Sequence, residues 1–343
     1  MKSTAPSPEE WQALYAAADE FRAAESWTWM EEMDLFGVTD PETGEVGYCS
    51  IMGGAGEHFA IAVYEGTEGL ESLVRLQAMG EAAIESMEAA LSQKCIIVSF
   101  ENRDLLEKED LAVIKKIGRK YRGKNVWPMF RRMRPFWLPS SIDAHQARFL
   151  TLVLPQAIEV AKRFRFEPAL LGSPDNPKFL VRNSRPADGE LEWFDEYQEA
   201  PEFDEPEPIE AYALNDIEAE RIRRLPLNPI SVETDFILFP GPVHEEEGAY
   251  FPYMLMAVES ATSTMLTLQT AAPWDYSEKF AKGLIVALEN LGARPQEIRV
   301  GRPELVELFA ELESRCGIPV KLSDDMEALD GLLEGLMGHL GYS

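Results

Sequence analysis

Residues 233–322 constrain this chain most, because its secondary structure can be read there almost without a gap. Three segments, 236–243, 250–259 and 265–270, are rich in Val, Ile, Phe, Tyr and Thr and are separated by the turn-prone runs HEEEG and SATS. That composition and punctuation are those of strands. Residues 278–290 then place Phe280, Leu284, Ile285 and Leu288 at helical spacing and stop at Gly292, a helix with its terminator. A strand over 297–300, a helix over 303–315, a strand over 319–322 and a last helix over 326–339 complete the run.

With 343 residues, 45% of them hydrophobic and 10% aromatic, the chain has material for two ordinary cores. No apolar run approaches the roughly 20 residues that cross a bilayer, and the opening MKSTAPSPEEW lacks the apolar stretch of a signal peptide. Cys49, Cys95 and Cys316 are far apart and odd in number, which fits buried thiols in a reducing cytoplasm better than disulfides. The net charge of −28 opposes general affinity for nucleic acid or anionic membrane and leaves a basic partner, or mimicry of nucleic acid, open.

The first half repeats the order of the second. A helix is expected over Pro8–Ala24, with Ser7 as cap, Pro8 at the first position, and Trp11, Leu14, Tyr15, Ala18 and Phe21 as its apolar stripe. Strands are expected over 34–39, 46–52 and 59–64, with DPETGE and GGAGEH turning the chain between them. A long helix over 69–92, a buried strand CIIVSF over 95–100, a helix over 103–121, a strand over 126–136 and a helix over 143–164 follow. The expected fold is therefore α/β (α+β), with two tandem modules, each βββαβαβα, at 1–165 and 230–343. Between them, 166–229 holds a two-stranded ribbon around PADG, an acidic proline-rich linker and a short helix capped by Asn215. The C-terminal order is that of an RNase H-like core.

That order invites a nuclease reading. Such enzymes hold two divalent ions on carboxylates from the first strand, the end of the fourth strand and a later helix. In the C-terminal module the expected first strand carries no acid, Asp235 lies just before it, and the fourth strand ends in Val300-Gly301-Arg302; this module is expected to be non-catalytic. The N-terminal module offers Asp34 and Asp40 around its first strand, Glu101 and Asp104 after CIIVSF, and Glu57 and His58 in the glycine-rich turn. Asp34, Glu101, Asp104 and His58 are the metal-ligand candidates, for Mg2+ or Mn2+, although acids flanking strands are more often turn formers and caps. GGAGEH lacks the Lys-Ser/Thr of a phosphate loop and joins two strands. No GxSxG, HExxH or CxxC is present.

One stretch breaks the acidic background. Residues 115–134 carry nine basic residues and no acid: Lys115, Lys116, Arg119, Lys120, Arg122, Lys124, Arg131, Arg132 and Arg134, interleaved with aromatics including Trp127. Basic plus aromatic is the composition of a single-strand nucleic-acid platform. Residues 188–220 are the reverse, with fourteen acids and no Lys or Arg. The two stretches are expected to neutralise each other within the fold, or, in a sharper version, the acidic one masks the basic one until a partner displaces it.

The run DLFGVTDPETGEVGYCSIMGGAGEHFAIAVYEGTEGL (34–70) resembles the N-terminal module of a family of uncharacterised bacterial proteins, and RPQEIRVGRPELVELFAELESRCGIPVKL (294–322) resembles the C-terminal module found with it. The resemblance implies a bacterial cytoplasmic protein built of α/β modules and brings no catalytic residue with it. Together these features lead to an expected function as a non-enzymatic cytoplasmic adaptor or regulator without cofactor. Its expected partner is a protein, with nucleic acid as a second candidate through the basic segment. The alternative is a divalent-metal nuclease or phosphoesterase with its site in the N-terminal module.

Overall fold

Turn chemistry and apolar composition place the first strands, which are buried on both faces. Asp40 accepts from the Glu42 N–H and closes the DPETGE turn between Phe36–Thr39 (β1) and Val46–Met52 (β2). Gly53 and Gly56, both at positive φ, turn the chain again into Ala60–Glu65 (β3). The computed structural model describes residues 4–56, 58–78, 87–171, 178–203 and 209–341, which form two compact units, residues 1–204 and 205–343.

In the first unit, Cys95–Glu101 (β4) and Trp127–Met133 (β5) extend the β1–β3 meander, and Lys178–Ala187 (β6) with Glu190–Glu199 (β7) complete a seven-stranded sheet in the order β5-β4-β3-β2-β1-β6-β7. Only β1 and β6 run parallel. The ribbon expected between the modules is thus a part of this sheet. Pro8–Ala24 (α1) is capped by Ser7 in a full capping box with Glu10, and packs with Ala144–Phe164 (α5) over one face, burying Phe21, Phe36, Ile61, Val98 and Leu150. Gly66–Ala78 (α2) covers part of the other face, where Leu70 and Leu73 meet Tyr48, Ala62, Tyr64 and Cys95. Of the helix expected over 69–92, residues 79–86 lie outside the described residues; Met87–Leu91 (α3) is helical. The helix expected over 103–121 is shorter, Lys108–Lys116 (α4) after a 3-10 turn at Arg103–Leu105, and Gly118 at positive φ turns the chain just beyond it.

The second unit starts with Asp216–Arg224 (α6), capped by Asn215. Its sheet has the order β12-β11-β8-β13-β14, built from Leu227–Leu238 (β8), Tyr253–Glu259 (β11), Thr264–Ala271 (β12), Arg294–Val300 (β13) and Val320–Leu322 (β14). Strands β8, β13 and β14 are parallel neighbours, and β11 and β12 run antiparallel beside β8. Val243–Glu245 (β9) and Gly248–Tyr250 (β10) form a separate small ribbon. Ser277–Leu291 (α7) buries Phe280, Leu284 and Leu288 and ends on Gly292 in the left-handed conformation. Pro303–Leu308 (α8) and Ala310–Cys316 (α9) replace the single helix expected over 303–315, with a break at Phe309. Glu327–Leu340 (α10) covers Met254, Met256 and Val258. Phe236, Leu238, Leu255, Leu284, Leu288, Ile298 and Leu308 are all buried in this unit's core.

Two expectations need correction. The first strand of the second unit begins at Leu227, nine residues before Phe236, and ends at Leu238 because Pro240 and Pro242 have no N–H for a ladder. Glu233 and Asp235 therefore lie inside that strand. The element order also recurs in the two units without the same sheet: β5 through β1 form an antiparallel run, whereas the second sheet is half parallel.

Candidate functional site

The described part of α2 covers only part of the second face of the N-terminal sheet. The cleft that remains has a floor set by register. Met52 on β2, Ala60 on β3, Ser99 on β4 and Met129 on β5 are cross-strand partners in one row. Ala62, Ile97 and Arg131 follow in the next. Partners across antiparallel strands share a face, so the small side chains at 60 and 99 sink the floor between methionine walls. The cleft holds about 520 Å³ and is also lined by His58, Glu101, Leu105, Glu107 and Leu138. This is the size and the mainly apolar lining of a small-molecule site.

The polar groups of the cleft differ in how they are engaged. Arg131 is 9% exposed at its side chain and grips Asp110 through two hydrogen bonds of 2.9 and 2.6 Å, with Glu107 at 3.5 Å. It also donates to the Phe130 carbonyl at 2.9 Å. Ser99 is 7% exposed, and its hydroxyl has no partner among the described residues. His58 stands at the rim with φ of 52°.

The metal-ligand candidates are not assembled. Asp34 closes a turn before β1, accepting from the Glu31 N–H at 2.7 Å. Strands β2 and β3 stand between β1 and β4, so Asp34 and Glu101 are separated by three strand spacings, roughly 14 Å. Asp104 is exposed in its 3-10 turn. Only His58 and Glu101 reach the same cleft. Among the described residues no group of three His, Cys, Asp or Glu is placed to hold a metal ion. The set Asp34, Glu101, Asp104 is corrected accordingly: strand order, which spacing along the chain does not reveal, keeps its members apart.

The basic segment is divided by the fold. Lys115 and Lys116 end α4, while Arg119 binds Asp19 of α1. Arg131 is taken by Asp110, and Arg134 lies over the Trp137 ring at 4.1 Å. Trp127 opens β5 and packs on Tyr121. Lys115, Lys116, Lys120, Arg122 and Lys124 are exposed on the α4 end and the following loop. The acidic strand β7 lies at the opposite edge of the sheet from β5, and its acids meet other cations: Asp195 binds Arg163 and Arg182, and Glu192 binds Arg185. Neutralisation of the basic segment by this strand is therefore not what the fold does; residues 204–208 lie outside the described residues.

A second, polar pocket of about 430 Å³ was not legible in the sequence. Glu65, Lys94, Arg132, His145 and Gln146 line it. His145 Nε2 lies 2.7 Å from Asp40 Oδ2, and Gln146 donates to Glu65 Oε2 at 3.1 Å. Burial raises the Glu65 pKa above the usual carboxylate range, against the pull of Gln146 and Arg132. Asp40 and His145 are over a hundred positions apart, and Asp40 reads locally as a turn former; no sequence signal joins them.

In the second unit, Glu233 is 2% exposed, and its Oε2 accepts from the backbone N–H groups of Ala328 and Leu329, both at 3.0 Å. The acid that the strand was expected to lack is thus a cap for the first turn of α10. Cys49 and Cys95 are buried, and burial pushes both thiols up, away from the thiolate form.

Fold and site together define a two-unit mixed α/β chain with a sheet-face cleft. The chain belongs to the family described as domain of unknown function DUF7309, whose model matches residues 11–182. Residues 218–337 match a second domain of unknown function, DUF6930. A comparison with curated proteins finds none that matches. Among the described residues no helix is long and apolar enough to cross a membrane.

Proposed function

We propose that the chain is a non-enzymatic adaptor that works through charged surfaces in the cytoplasm, with the loop after α4 as its contact for an acidic protein partner. One observation carries the reading. Lys115, Lys116, Lys120, Arg122 and Lys124 are exposed within ten residues, and no ion pair engages them among the described residues, in a chain of net charge −28. Elsewhere in the same unit Arg75, Arg131, Arg148, Arg163, Arg182 and Arg185 all have carboxylate partners. A local cationic patch on an anionic body attracts an acidic segment at short range while the overall field repels long polyanions. The buried, unpaired cysteines fit a reducing compartment. The RNase H-like reading of the second unit is kept as a scaffold, supported by its sheet order and by the structural use of Glu233.

Titration with poly-glutamate and with single-stranded RNA, at low and high salt, tests the proposal. Salt-sensitive binding of poly-glutamate that is lost in the triple variant Lys120→Glu/Arg122→Glu/Lys124→Glu is expected. Binding of RNA without poly-glutamate turns the patch into a nucleic-acid platform, and binding of neither removes it as a contact.

A further inference from the structure

We propose that the cleft on the second face of the N-terminal sheet binds a small amphipathic cation, an apolar chain or ring that carries a protonated amine. This site is independent of the basic loop.

Its walls and floor call for an apolar body. Met52, Met129 and Met133 line it with Ile97 and Leu138, and methionine side chains adapt to apolar groups of varied shape. The floor is low because Ala60 and Ser99 stand where larger side chains would fill the space. The polar end calls for a cation. Ile97, Ser99 and Glu101 are successive positions on the cleft face of β4, so the Ser99 and Glu101 Cα atoms lie about 7 Å apart along the strand and the long Glu101 side chain can turn its carboxylate toward the Ser99 hydroxyl. Both are acceptors, and neither has a side-chain partner among the described residues. A hydroxyl that is nine-tenths buried without a hydrogen bond is costly to keep, and an ammonium donating to Ser99 and to Glu101 supplies what both lack.

An anion has no comparable seat. Among the described residues Arg131 is the one Lys or Arg lining the cleft, and its guanidinium is held by Asp110, the Phe130 carbonyl and Glu107. Glu107 adds a further carboxylate at the mouth. The local balance is therefore negative even with Arg131 counted.

The test is methyl NMR of the full chain labelled at methionine, titrated with n-octylammonium, 1-octanol and octanoate. Octylammonium is expected to shift the Met52 and Met129 methyls saturably while leaving Met254 of the second unit unmoved. Octanol is expected to bind about tenfold more weakly, since it lacks the charge-assisted bond to Glu101, and octanoate not to bind. Glu101→Gln is expected to remove the preference for octylammonium over octanol, and Ala60→Leu to abolish binding of both. Absence of a saturable shift with octylammonium, octanoate binding as well as octylammonium, or an unchanged preference in Glu101→Gln would each overturn the proposal. So would equal shifts at Met254, which mark non-specific uptake. Glu101→Gln alters a half-exposed strand end and keeps the test open if Ala60→Leu fails to fold.

Discussion

Asp235 Oδ1 lies 3.3 Å from Arg302 Nε. Asp235 is near the carboxyl end of β8, and Arg302 follows β13, its parallel neighbour, in which Val300 pairs with Thr234. This is the edge at which open α/β sheets build sites. A carboxylate at 302 would make a cation-binding pair; an arginine neutralises Asp235 instead. The guanidinium also lies over the Phe236 ring at 4.5 Å, and Gly301 leaves room for the Asp235 carboxylate where a Cβ would clash.

Arg302→Met should therefore destabilise in a pH-dependent way. Burial already raises the Asp235 pKa, while the Phe236 N–H and Arg302 lower it. Without Arg302 the folded-state pKa rises further, so the folded state holds its proton to higher pH than the unfolded chain and loses stability as pH rises through that value. A deficit of about 1–3 kcal/mol is expected near neutrality, shrinking toward acid pH as the carboxyl stays protonated in both states. Urea unfolding across pH checks this; a deficit independent of pH refutes the pairing.

Glu233→Ala removes the acceptor for two N–H groups in the first turn of α10. A loss of about 1–3 kcal/mol is expected from the two buried donors left without a partner. Glu233→Gln keeps one acceptor and should lose less. Equal stability of the Ala variant and the parent in urea would mean that α10 is not held by this cap.

Truncating one member of the Arg131–Asp110 pair should cost more than removing both. Both side chains are largely buried, at 9% and 13% exposure. Arg131→Met or Asp110→Leu alone leaves a buried charge, with a loss of about 3 kcal/mol. The double variant should recover part of it, measured as a coupling in a double-mutant cycle. Strict additivity would show that the pair is not coupled.

Glu65→Gln is expected to stabilise the protein increasingly as pH rises. Burial holds the Glu65 pKa above its unfolded value, so the parent loses stability as pH rises through the folded-state pKa, and a neutral amide does not. The thermal midpoints of the two proteins should converge at acid pH and separate above it. A gap that narrows with rising pH contradicts the burial of this carboxyl.

Local signals carried the elements. The Ser7 and Asn215 caps, the turn residues that bound Val46–Met52 and Ala60–Glu65, and the apolar face of Phe280, Leu284 and Leu288 are all short-range patterns, and the corresponding strands and helices are present. The same patterns left strand partners open, because apolar periodicity reports which side of an element is buried and not which element buries it. The ribbon β6–β7 therefore read as an insert, although β6 pairs with β1 across more than 130 residues. Polar, proline-containing Leu227–Leu238 hid most of its length, since its Ser231, Glu233 and Thr234 are buried by neighbours far along the chain. At the candidate site, His58 and Glu101 were visible as turn and strand end. Met52, Ala60, Ser99 and Met129 became a cleft only through the register of four strands, and the same strand order set Asp34 and Glu101 apart. The sequence by itself determined composition, charge and the local elements. Tertiary pairing decided which charges are engaged and which side chains share a surface, because those contacts are made between residues that no local pattern connects.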